Sequence, residues 1–69
     1  MIIGEVVTFE QHVGLGTVEA EAGERYEFHC TQIAGGTRTI EVGTPVRFRI
    51  VSRYKGRLEA YEVTAVPPR

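Results

Sequence analysis

The stretch His12–Ala20, HVGLGTVEA, sets two glycines one residue apart inside a run that otherwise reads as an alternating strand, G-x-G-x-V. A glycine loop built to cradle a phosphate needs a helix directly after it, and this sequence predicts none there. The spacing fits a strand that must curve tightly, where a missing side chain makes room. That reading points to a small barrel, and the flanking sequence agrees with it.

On one side, IIGEVVTF (2–9) is rich in β-branched residues and ends at the polar turn EQHV. On the other, EAGE (21–24) is a tight connection, and RYEFHC (25–30) alternates, with Tyr26 and Phe28 on one face and Glu27 and His29 on the other. TQIA (31–34) has room for a single helical turn, and GGTRTIEVG (35–43) is the longest loop. TPVRFRIVS (44–52) alternates again, with Val46, Phe48 and Ile50 inward and Arg47 and Arg49 outward. RYKG (53–56) is a hairpin turn and RLEAYEVTAV (57–66) a last strand, after which PPR cannot continue a ladder. Five short strands are too few for a sandwich. A five-stranded barrel removes the exposed edges, and three meandering strands, a long loop and a hairpin favour the OB type over the SH3-like one. The expected core is Val6, Val18, Phe28, Val46, Phe48 and Ile50, with Tyr26 and Tyr61 also mostly inward and Phe9 ambiguous at a strand end.

A chain of 69 residues makes one domain, and one this short buries only about 60% of its unfolded surface. Its 42% hydrophobic and 25% charged residues are globular rather than disordered composition. No apolar run is long enough for a membrane span, and no secretory leader pattern is evident. Cys30 is the single cysteine, so no internal disulfide forms; the expected location is cytoplasmic. The net charge of −1 hides a split: residues 1–35 hold six Glu and one Arg, whereas residues 36–69 hold seven basic and three acidic residues. Such a division gives a small domain one acidic and one basic face.

Chemistry at a reactive centre finds little support. His29 and Cys30 are adjacent in a strand and so point apart. Only His12 is left as a further soft ligand, whereas zinc wants about four. The chain has no Asp, so a Ser/His/Asp set cannot form. No catalytic residue, metal or cofactor is expected.

Several segments taken together resemble one family. GEVVTFE (4–10) is similar to G-x-V-K-W-F-N, VGLGTV (13–18) to K-G-F-G-F-I, and YEFHCTQI (26–33) to V-F-V-H-F-S-A-I. RTIEVGTPVRF (38–48) matches K-T-L-E-x-G-x-x-V-x-F, and KGRLEAYEV (55–63) resembles the closing hairpin. These are the motifs of the bacterial cold-shock domain, a five-stranded antiparallel OB-fold barrel that binds single-stranded RNA and DNA. The resemblance implies one such domain over residues 1–66 with a short tail, 67–69. It also implies where this chain departs from the family. The tryptophan position holds Thr8, the two phenylalanines of the second motif are Leu15 and Thr17, and the third motif has Glu27 and Cys30 in place of phenylalanine. Val7 and Val13 replace lysines. Of the exposed set His29 keeps its type, with Phe9 beside it.

Each stacked aromatic contributes about 1–3 kcal/mol per base, so binding through that face is expected to be of modest affinity with little sequence specificity. The candidate nucleic-acid-binding residues are Phe9, His29, Arg38, Arg53, Tyr54, Lys55 and Arg57. Tyr54 amid Arg53, Lys55 and Arg57 joins charge to a stacking ring on the hairpin side, where these residues form either a phosphate track or a solvated tip. His29 is either a base contact or an exposed strand residue. Arg47 and Arg49 read as a solvated face with Glu59 and Glu62 across from them, while Glu19, Glu21, Glu24 and Glu27 repel phosphates. The partner implied is single-stranded RNA or DNA. The alternative is a protein partner, held by an apolar patch to which Val7, Val13 and Leu15 contribute, on a barrel that has lost nucleic-acid binding.

Overall fold

The computed structural model describes residues 1–52 and 56–66. Five strands form: β1 (Ile2–Glu10), β2 (Leu15–Ala20), β3 (Arg25–His29), β4 (Pro45–Ser52) and β5 (Leu58–Ala65). They close in the order β1-β2-β3-β5-β4. The turn expected in TQIA is a 3-10 turn beginning one residue earlier, Cys30–Gln32. Four seams are antiparallel. The fifth, β3 against β5, is parallel and short. The bridge Ile33↔Val63 extends it, together with a hydrogen bond from the Ala34 amide to the Val63 carbonyl at 2.8 Å. This is the OB-type barrel expected from the strand pattern.

Val6, Val18, Phe28, Val46 and Phe48 are buried as the alternation predicts, and Ala20, Ile33, Ala60 and Val63 complete the core. Ile50 packs half-buried against its edge. Two bulges explain what strict alternation misses. The β1–β2 register slips between Val6 and Thr8, so Val6 and Phe9, three apart, both turn inward. In β5, Glu62 takes φ 51° where the register against β4 slips between Arg47 and Arg49. An extra residue there lets Ala60 and Val63 share the inner side. Tyr61, expected in the core, is half-buried and outside the core cluster as a result.

The two glycines of the opening stretch have different duties. Gly14 sits at φ 76°, in the turn where its amide donates to the Glu10 carbonyl at 2.8 Å. Gly16 lies between Phe9 and Phe28 in register. Their rings stack 6.0 Å apart with planes 12° from parallel. A Cβ on Gly16 would stand 2.6 and 2.7 Å from two Phe28 ring atoms and 2.8 Å from the Thr8 carbonyl oxygen.

Two outcomes check this packing by denaturant unfolding. Phe48→Ala lowers stability by about 3–5 kcal/mol, because a buried ring leaves a cavity. Gly16→Ala lowers it by about 1–3 kcal/mol through overpacking. A neutral result for either would show that the rings are not held as described.

Candidate nucleic-acid interface

The outer face of β1, β2 and β3 carries two cross-strand rows. One is Thr8, Thr17 and Glu27; the other is Glu10, Leu15 and His29. Both follow from the register: the bulge at Val7 returns Thr8 and Glu10 to the outside, while Phe9, Gly16 and Phe28 hold the inside. Thr8, Glu10, Leu15, Gly16, Thr17 and Glu27 line a shallow hollow of about 160 Å³ between them. Further along the same face Glu5 and Glu19 stand opposite each other. Like charges so placed repel, and Arg25 answers with its Nε 2.9 Å from Glu19 Oε2.

The candidate residues fall into different surroundings. His29 is exposed at the end of β3, opposite Leu15. Phe9 is half-buried, with its ring on Phe28. Arg38 is exposed in the long loop and lines a separate hollow with Cys30, Thr31 and Thr37, past the end of β3 that carries His29. Arg53, Tyr54 and Lys55 lie outside the described residues. Arg57 is exposed and reaches across the β3–β5 seam, its Nη2 3.8 Å from Glu27 Oε1. On β4, Arg49 Nε lies 4.0 Å from Glu62 Oε2, matching the cross-strand pairing expected for it. Exposed pairs of this kind contribute about 0–1 kcal/mol, so both arginines stay available to a ligand. Leu15 and Val13 are exposed and Val7 half-buried.

The sequence reading passed over Glu10 as a member of this face and over the Glu27–Arg57 contact. The first needs the bulge, which a period-two reading skips. The second needs the parallel seam, which joins strands far apart in the chain. Among the described residues no group of His, Cys and Glu side chains is placed to hold a metal ion, and no helix is long and apolar enough to cross a membrane.

A closed five-stranded barrel with an open face on its first three strands is the architecture of an OB-type binding domain. The model of the 'cold-shock' DNA-binding domain matches residues 2–66, and the chain belongs to that family. It is similar in structure to Drosophila Unr CSD456, with a TM-score of 0.78 and 25% identity. That match covers 97% of this chain but 27% of the Unr chain, so this chain spans about a quarter of the length of the structure it resembles. No curated protein matches the chain significantly.

Thr8, Leu15 and Thr17 all point outward on neighbouring strands, so rings placed there would share one face. The variant Thr8→Trp/Leu15→Phe/Thr17→Phe is expected to tighten binding of a single-stranded oligonucleotide at least about tenfold, since one stack alone contributes about 1–3 kcal/mol. Fluorescence anisotropy checks this. No gain in a folded triple variant would mean that this face does not meet bases.

Proposed function

We propose that this protein binds single-stranded nucleic acid, RNA or DNA, without catalysing a reaction, through the domain formed by residues 1–66. Its affinity is modest and its discrimination between sequences slight, because the face of β1–β3 carries threonine, leucine and glutamate in place of stacking rings. The observation that carries this reading is the open outer face of β1–β3 on a barrel of a nucleic-acid-binding family. Binding is shifted toward the hairpin between β4 and β5. Arg57 stands at the border of that hairpin and the face, and Arg53, Tyr54 and Lys55 precede it in sequence. Arginine outnumbers lysine seven to one, and its planar fork suits paired contacts to phosphate oxygens. His29 contributes from the far row and Arg38 from the long loop, while Phe9 supports the face from beneath. The reading places the protein in the cytoplasm.

Salt dependence tests it. Each phosphate contact adds about 0.7 to the slope of log affinity against log salt for a single strand. Replacing Arg53, Lys55 and Arg57 together with Gln lowers affinity and reduces the slope by about two units. His29→Ala weakens binding with little change in slope. Titrations of labelled single-stranded RNA and DNA at two salt concentrations measure both. An unchanged slope in the folded triple variant would remove the hairpin from the site. An affinity indifferent to salt in the parent protein would instead favour an apolar protein interface.

A further inference from the structure

The hollow at the middle of the β1–β3 face has an uneven polar lining. Thr8, Glu10, Thr17 and Glu27 contribute its side-chain oxygens, and among the described residues no Arg, Lys or His lines it. Ionised carboxylates only accept hydrogen bonds, and threonine hydroxyls rotate to accept or donate. Thr8 faces Thr17 and Thr17 faces Glu27, so two hydroxyls and a carboxylate run in line across three strands. Among the described residues the carboxylate of Glu10 has no ion-pair partner, and the hydroxyls of Thr8 and Thr17 have no hydrogen-bond partner. Among the described residues the cation that reaches its border is Arg57, 3.8 Å from one oxygen of Glu27, which leaves the other oxygen open.

This described lining repels phosphate and offers no ring to hold a base by its face. What it can take is a donor. Cytosine, adenine and guanine present exocyclic amino groups, and carboxylates accept from such groups. Thymine and uracil present carbonyls, and their one ring donor sits between two of them, whose lone pairs oppose an approaching carboxylate. We infer that the hollow formed by Thr8, Glu10, Thr17 and Glu27 holds the amino edge of an unpaired base, so that this protein prefers amino-bearing bases to thymine or uracil. The inference rests on the nucleic-acid reading above and adds a chemical basis for discrimination within it. Arg57 completes the arrangement. It offsets the charge of Glu27 and stands where the phosphate next to a seated base would lie.

The test compares two probes that differ in their hydrogen-bonding edge. Oligomers of thymidine and of 5-methyldeoxycytidine, equal in length, share sugar, charge and ring methyl group; the first presents a carbonyl at ring position four beside a protonated ring nitrogen, the second an amino group beside a bare one. At mildly alkaline pH, where the cytosine ring is neutral, the 5-methyldeoxycytidine oligomer binds about fivefold more tightly, the effect of one net hydrogen bond. In the variant Glu10→Gln/Glu27→Gln, carboxamides offer a donor as readily as an acceptor. The preference then falls to a ratio of about one, while affinity for both oligomers rises because phosphate repulsion is relieved. Both positions are exposed, and circular dichroism confirms that the variant folds. Equal binding by the parent, a preference for thymidine, or a preference unchanged in the variant overturns the inference and leaves the nucleic-acid reading standing. Failure of the parent to bind these oligomers and the corresponding uridine and cytidine RNA oligomers at low salt overturns both.

Discussion

The bare backbone of Gly16 is what the molecule is built around. It lets the rings of Phe9 and Phe28 meet from the two flanking strands, and it lets β2 press against the carbonyl of Thr8. A side chain there would part the rings and lift β2 from its neighbours. With the rings in contact, β1, β2 and β3 curl into a trough whose inner surface joins Val6 and Val18 to Phe48 and Val63. Once the inner side is committed in this way, the register leaves Thr8, Glu10, Leu15, Thr17, Glu27 and His29 to the outside. The position of the candidate binding face is therefore a consequence of core packing.

The split charge of the chain takes a physical form on that face. The acidic first half of the sequence supplies β1, β2 and β3, and the basic second half supplies β4, the hairpin and β5. The two meet along the β1–β4 seam and again at the parallel seam, where Arg57 reaches Glu27. Among the described residues the middle of the face presents carboxylates and its border the Arg57 guanidinium. On the proposed function, long-range attraction would guide a polyanion to that border, and short-range hydrogen bonding would govern what enters the middle.

Much of this was legible in the sequence. The alternation of Val46 and Phe48 gave the inward side of β4, and Tyr26 with Phe28 gave that of β3. The glycine pair gave the sharp bend, and the family motifs gave the closed topology. What alternation misses has one cause. A bulge inserts a residue that no period-two pattern announces, so Phe9 read as ambiguous and Tyr61 as core. Val7 and Glu62 look like ordinary strand residues, and only the positive φ of Glu62 or the slipped register reveals the change. The Glu27–Arg57 contact was hidden for another reason. It joins residues distant in sequence through a seam that hydrophobic patterning does not encode.

That parallel seam bears on how the chain reaches its shape. The β1–β2–β3 meander needs only short loops to close, and its pairs can form early. Joining β3 to β5, and β1 to β4, waits until distant parts of the chain have been brought together, at the entropic cost of a large loop. Among the described residues the β3–β5 seam has little ladder to reward that cost: one residue pair, a single bridge and the Ala34 amide. Closure there belongs at the end of folding, and the same line is the natural place for the barrel to open first under stress. The candidate binding surface and the joint that completes the fold are thus tied together by Arg57, which reaches across that joint to Glu27.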